Sequence, residues 1–333
     1  MKRNAIIIGS IILILVIGGI WYFVKDSRQM PSNKPPQPFR VGLATYPGFA
    51  PGFIAKEKGF FGDLPVEFTI LDDFTVRQNA FTSGQNDATI STLDSYAFES
   101  GQGVKGKAFL ILDESSGADA IVVSPKIKQP SDIKGKKVAY TRGSPSQFLL
   151  MQFLRKNGLS GTDIQRVEVD DPGRAGEAFV AGSVDVAVTW EPNISQIVSS
   201  GKGRVLESTK TFPDLIFDVM VIGPEPYDKR KEDIKKFVNG WLKAIEFIKT
   251  NQNESYSIMA RNMNIPESDF PAMAGVLKFA DLDRNKQLLL PPGNSKAISI
   301  YNEAVRIWSE EKLIQVTTEG KNQITSEFVE NLK

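Results

Sequence analysis

The sequence predicts an α/β protein of two lobes with a cleft between them, and three observations carry that reading. From Phe39 to about Gly223, short β-branched runs alternate with helical stretches, the pattern of a mostly parallel sheet faced by helices. A second strand–helix series opens at "KKVAYTRGSPSQFLLMQFLRKNGLS". Past Asp228 the pattern turns helical, so strands that leave the first unit return to it before the chain ends. The expected segments are residues 1–25, an N-terminal transmembrane anchor or signal segment; 26–38, a Pro-rich stalk; 39–120 plus 219–333, lobe one; and 121–218, lobe two.

Taken in order, "PFRVGLAT" reads as a strand and "PGFIAKEKG" as a helix ending at Gly59. "VEFTILDD" is the next strand, and "TVRQNAFTSGQ" a helix whose flanking Phe74 and internal Phe81 are expected core contacts. "DATIST" and "LDSYAFESGQG" repeat the alternation, and "AFLILDESSGADAIVVS" reads as two strands broken at Ser115-Ser116-Gly117. Val138–Thr141 is a strand followed by an amphipathic helix, Ser144 to Lys156. Ser144 and Gln147 form an S-x-x-Q capping box, Pro145 takes the first helical position and Gly158 follows the end. "IQRVEVDD", "AGEAFVAGS", "VDVAVTWEP" and "ISQIVSSG" continue the series, and "DLIFDVMVIG" is the returning strand. Helices are expected over Phe237–Lys249, Tyr256–Met263 and Lys296–Glu310.

Composition narrows the chemistry. The 333 residues carry a formal charge of +1, without the basic face that nucleic-acid binding needs. The first 38 residues hold five basic groups and one acid, which leaves the remainder at 35 basic against 38 acidic. The globular part is mildly acidic. There is no cysteine and no histidine. That removes disulfides, thiolate nucleophiles, imidazole bases and ordinary zinc sites; carboxylate-only hydrolysis and an oxygen-ligated cation stay open, but neither enzyme activity, nor a metal, nor a cofactor is expected.

Ala5 to Val24, "AIIIGSIILILVIGGIWYFV", is an uncharged run of 20 residues, about the length of a bilayer-crossing helix. Lys2 and Arg3 precede it, which by the positive-inside rule puts the N-terminus in the cytoplasm and the rest of the chain outside. The run is longer than the apolar core of a signal peptide, and "GGIWYF" is a poor cleavage site. An uncleaved anchor is therefore expected ahead of a cleaved signal. "MPSNKPPQP", residues 30–38, would hold the body off the membrane as an extended spacer.

Ligands of open α/β sheets sit beyond the carboxyl ends of the strands. Four loops there share a character: Tyr46-Pro47-Gly48-Phe49, Ser91-Thr92-Leu93-Asp94, Thr141-Arg142-Gly143-Ser144 and Trp190-Glu191-Pro192-Asn193. Each joins a strand to a helix start, where unbonded amides favour an acceptor. Hydroxyls of Ser91, Thr92, Ser144 and Ser146 add donors, and Tyr46, Phe49 and Trp190 are rings able to wall a small pocket. Ser144 and Thr92 are equally good as plain helix caps.

The segments "GLATYPGFAPGFIAKEKGFF", "SGQNDATISTLDS", "LDESSGADAIVVS", "DIKGKKVAYTRGSPSQFLL" and "AFVAGSVDVAVTWEP" resemble, in order and spacing, the nitrate/sulfonate/taurine-type substrate-binding proteins of ABC transporters, relatives of thiamine-precursor binding proteins. The resemblance covers roughly residues 39 to 330. It implies a type 2 periplasmic-binding-protein fold that closes on one small polar solute, delivers it to an ABC permease and its ATPase, and acts as a monomer. By position it implies a pocket of Tyr46, Pro47, Gly48, Ser91, Asp94, Asp119, Gly143, Ser144, Ser146, Trp190, Glu191 and Asp218. These candidates hold four acids, Asp94, Asp119, Glu191 and Asp218, against one evident base, Arg142. That balance suits an amine-bearing solute, either a cation or a zwitterion, better than a pure oxyanion, so the expected solute contains nitrogen or a sulfonate. A membrane-tethered sensory ectodomain is the competing expectation, weakened by the four residues that precede the apolar run.

Overall fold

The computed structural model describes residues 37–333. The expected membrane segment, residues 5–24, and nearly all of the stalk lie outside the described residues. Among the described residues no helix is long and apolar enough to cross a membrane.

Two sheets organise the chain. The first has six strands, β1 (Phe39–Leu43), β2 (Val66–Ile70), β3 (Ala88–Thr92), β4 (Lys107–Ser115), β10 (Phe217–Ile222) and β11 (Leu277–Phe279), in the order β11-β4-β10-β3-β1-β2. The second has five, β5 (Asp119–Val123), β6 (Lys137–Thr141), β7 (Gln165–Val169), β8 (Val186–Trp190) and β9 (Arg204–Ser208), in the order β7-β6-β8-β5-β9. Ser115-Ser116-Gly117 is therefore no hairpin turn: β4 ends in one sheet and β5 begins in the other.

The sheets are mixed where the sequence reads as mostly parallel. β1 runs parallel to β2 and β3, and β6 parallel to β7 and β8. β10 is antiparallel to both its neighbours, β3 and β4, and β5 antiparallel to both of its own, β8 and β9. The reversed strands are the two that follow the crossings between sheets, so their first residues lie beside the last residues of their neighbours. That single topological fact decides what meets at the site.

Hydrogen bonds tie the two crossings together. Ser115 Oγ lies 2.8 Å from Thr209 Oγ1, the Gly117 amide donates to the same oxygen at 2.8 Å, and the Thr209 amide donates to the Asp119 carbonyl at 3.0 Å.

Both faces of the second sheet are covered, as strands with near-continuous apolar runs require. Along β5, Ile121 and Val123 enter the large core, while Ala120 and Val122 pack with Ala175, Phe179 and Ile197 on the other face. The helix Lys231–Thr250 lays Ile234, Phe237, Val238, Trp241 and Ile245 against the first sheet, at the three- and four-residue spacing of one helix face. Phe237 stacks on Phe61 with ring centres 5.3 Å apart. Phe81 joins this core, but Phe74 is 47% exposed, because the helix Phe74–Thr82 starts at it and turns the ring outward.

Candidate functional site

Seven acidic, aromatic and small residues meet where the two sheets exchange strands. Asp94 follows β3 in the first turn of the helix Leu93–Gly101. Asp113 is near the end of β4, and Asp218 is second in β10 and directly opposite it. Asp119 opens β5 and pairs across the strands with Trp190, the last residue of β8. Tyr46 and Gly48 come from the turn after β1.

Local structure aims each of them. Pro47–Phe49 is one turn of 3-10 helix directly ahead of the helix Pro51–Glu57. Its tightness presses Gly48 onto Asp113: a Cβ on Gly48 would fall 2.0 Å from Asp113 Oδ2, so no larger residue fits there without movement. Opposite β10 the β4 ladder slips by one residue, from Asp113 to Ile111. Asn285 fills the gap by accepting from the Ile111 amide at 2.8 Å and donating to its carbonyl at 3.0 Å. Such bulges re-aim a neighbouring side chain, here Asp113. The indole of Trp308 donates to the Asp94 carbonyl at 2.8 Å and fixes the start of that helix.

Four carboxylic acids are buried here: Asp94 and Asp113 at 0% exposure, Asp119 at 6% and Asp218 at 7%. Like charges directly across a strand pair are unfavourable even when wet, and burial makes them more so. Burial, aided by the charge of Asp119, pushes Asp94 up to about 7. It does the same to Asp113. Asp119, which accepts from Ser115 Oγ at 2.6 Å, rises to about 6, again through burial. Asp218 is raised well above the ordinary carboxylate range by burial and then by Asp113. The Tyr46 phenol is pushed upward by burial and by the charges of Asp113, Asp218, Asp119 and Glu191.

Among the described residues no lysine or arginine relieves this. Neither oxygen of Asp94 has a hydrogen-bond partner. The Thr92 hydroxyl and the first amides of the helix favour its charged form from nearby, without bonding geometry. Asp113 has no partner either, other than a proton it could share with Asp218. Arg142, the one base expected in the pocket, is exposed and pairs with none of the four.

The remaining expected residues divide by their bonds. Thr92 caps its helix, accepting from the Ser95 amide at 3.3 Å, and Ser91 donates to Glu99 at 2.9 Å. The capping box does not form. Gly143 takes a positive φ of 67°, which brings the Thr141 carbonyl within 2.7 Å of Ser144 Oγ, and Gln147 Oε1 accepts from the Gly143 amide instead. Ser146 accepts from the Thr141 amide at 3.0 Å and lies 2.9 Å from Ser144 Oγ. This loop nonetheless touches the first sheet's side: a Cβ on Gly143 would fall 2.9 Å from the Phe98 ring. Glu191 caps the next helix through the Ser195 amide and hydroxyl, at 3.0 and 2.9 Å. Phe49, expected to help wall the pocket, is buried, with its ring centre 5.1 Å from that of Tyr46. Trp190 keeps 36% of its surface exposed.

Asp113 was not among the expected residues. Its signal was present in "AFLILDES", an acid set inside a buried apolar strand. Two surface hollows, of about 630 Å³ beside Arg40, Glu67 and Asn79 and about 620 Å³ beside Asn302 and Arg306, lie away from these strand ends.

Residues 46–255 match the NMT1/THI5 like family, and the chain belongs to it. The taurine-binding periplasmic protein of Escherichia coli (strain K12) is 25% identical over 285 residues, covering 83% of this chain and 86% of that protein. A second relative from that strain, assigned to aliphatic sulfonates, is 27% identical over 210 residues; the match spans only 62% of either chain. The fold is that of the periplasmic aliphatic sulphonate binding protein SsuA from Escherichia coli, with a TM-score of 0.72 at 20% identity over 87% of this chain and 92% of that one. The nitrate-binding protein NrtA from Synechocystis PCC 6803 superposes with a TM-score of 0.67 at 15% identity, over 89% and 88%. The two-lobed periplasmic-binding-protein architecture is thus common to all three.

Proposed function

We propose that this chain is an extracytoplasmic solute-binding protein of an ABC importer, holding one small polar solute between its lobes and presenting it to a membrane permease and its ATPase. One observation carries the reading. Buried polar groups contributed by both sheets converge at the crossings, Asp94, Asp113 and Asp218 from the first and Asp119 from the second, with Tyr46 beside them. Proteins that close two lobes about a hinge trap ligands in this way, and the taurine, sulphonate and nitrate binding of its relatives supports the assignment.

In this reading lobe one is 39–120 plus 219–333 and lobe two is 121–218. Tyr46, Gly48, Asp94, Asp113, Asp119, Trp190 and Asp218 face the solute. The loops at Ser91, Gly143, Ser144, Ser146 and Glu191 shape its walls. Ala5 to Val24 anchors a monomer in the cytoplasmic membrane, and the Pro-rich stalk spaces it outward. No catalytic step is assigned.

Purification of the tagged full-length chain from its own membranes tests the proposal. Recovery of a permease and an ATPase, with a co-purified small molecule seen by native mass spectrometry, is the expected result. Recovery of a sensor kinase without transporter subunits would replace it with the sensory reading.

A further inference from the structure

Resting on the solute-binding reading, we propose that the site selects an organic cation bearing N–H donors, an amine, amidine or protonated aminoheterocycle, and disfavours simple oxyanions. The argument begins from charge. Four carboxyl groups from four chain segments are enclosed together, and among the described residues none of them makes an ion pair. An oxyanion placed among them would require every one to be protonated and correctly turned. A cation needs the opposite, and supplies the missing positive charge itself.

Unbonded atoms point the same way. Both oxygens of Asp94 are fully enclosed, feel Asp119 and Asp218, and lack any partner. A buried acceptor left unbonded is unfavourable. Protonating Asp94 would add a donor and still leave an unmet acceptor, whereas an N–H-bearing cation meets both oxygens. Tyr46 and the half-open Trp190 at the neighbouring strand ends offer ring faces, which attract cations.

The surrounding charges leave this balance negative. Glu99, buried on the helix of Asp94 and bonded by Ser91, faces Arg77. Glu114, next to Asp113 but on the other strand face, is bonded by Arg284 at 2.8 Å and lies 3.7 Å from Lys278. Glu191 is capped by Ser195 and bears on Tyr46. Arg284 is thus committed to Glu114, and Arg77, which bonds the Leu71 carbonyl, bears on Glu99. Binding a cation should expel protons that the empty cluster holds, so affinity should rise with pH, up to about tenfold per pH unit for each proton released.

The test is calorimetry and thermal shift on the full-length chain in detergent, from pH 5 to 8. The panel is butylamine, benzamidine and 4-aminopyridine, against ethanesulfonate and nitrate, with taurine between. The expected result is binding of at least one nitrogen cation, tighter at higher pH, with proton release seen as a buffer-dependent heat. Asp113→Asn and Asp218→Asn should each weaken that binding about tenfold or more while raising the melting temperature of the empty protein. Taurine counts in favour only if both variants weaken it. Binding of ethanesulfonate or nitrate that the variants leave unchanged or improve overturns the cation inference and leaves solute binding standing. A folded chain that answers none of the six compounds overturns both.

Discussion

Strand β3 carries a buried acid near each end, and the two are treated in opposite ways. At its amino end Asp87 accepts from Arg40 Nη2 at 2.7 Å, the Arg40 amide at 2.9 Å and Arg230 Nη1 at 2.9 Å. Past its carboxyl end Asp94 meets three further buried acids and, among the described residues, no base. Both ends are closed to water, so solvent does not explain the difference. At one end the chain completes its own charge balance, which is architecture. At the other it leaves the balance open, as the proposed binding site requires. Asp113 and Glu114 repeat the contrast one residue apart, since successive strand residues face opposite ways.

The largest expected effect breaks the balanced end. Asp87→Asn takes its carboxylate from Arg40 and one of two carboxylates from Arg230, which keeps Asp233, and should cost about 3 kcal/mol, by analogy with other broken buried pairs. Chemical denaturation measures it, and a loss below about 1 kcal/mol would mean that Asp87 is no more buttressed than a surface pair.

Next is Gly48→Ala, whose methyl would collide with Asp113 Oδ2. Overpacking of this kind costs about 1–3 kcal/mol. Adding Asp113→Ala should recover much of the loss, and a double-mutant cycle without coupling would show that the two residues do not touch.

The open end should also respond to pH. Asp94 and Asp113 are raised from 3.8 to about 7, so between those values the folded protein holds protons that the unfolded chain has released. Their contribution is complete below about pH 4 and is lost as pH rises through 7. The ligand-free melting temperature should therefore fall from pH 5 to pH 8, with a shallower slope in Asp218→Asn. A melting temperature that climbs over this range contradicts the account.

The smallest effect is at the crossings between the sheets. Ser115→Ala removes the hydroxyl bonded to Asp119 and beside Thr209. It should cost about 1 kcal/mol and move the Asp119 titration upward, measurable by carboxyl NMR.

Much of this was legible in the sequence. The apolar spacing of Phe237 through Ile245, the proline-led helix after Ser144, and the punctuation at Gly59 and Gly158 are local signals, and local signals survive into the fold. Three of the four clustered acids, Asp94, Asp119 and Asp218, were also named from strand-end position and family resemblance. Other readings failed for want of tertiary information. The Ser144 cap lost to the nearer Thr141 carbonyl, Phe74 fell on the outward side of its helix, and Arg142 reads as a counter-charge only until its exposure is known.

By itself, the sequence determined most of the strands and helices, though not β9, β11 or the helix Leu282–Leu289, excluded imidazole and thiol chemistry, and supplied more acids than bases at the strand ends. Only the tertiary structure decided that those acids meet. Asp119 and Asp218 lie near the starts of strands, the wrong ends by the usual rule, until the two crossings reverse β5 and β10 against their neighbours. Pairing direction rests on contacts roughly a hundred residues apart along the chain, which no short window of sequence contains.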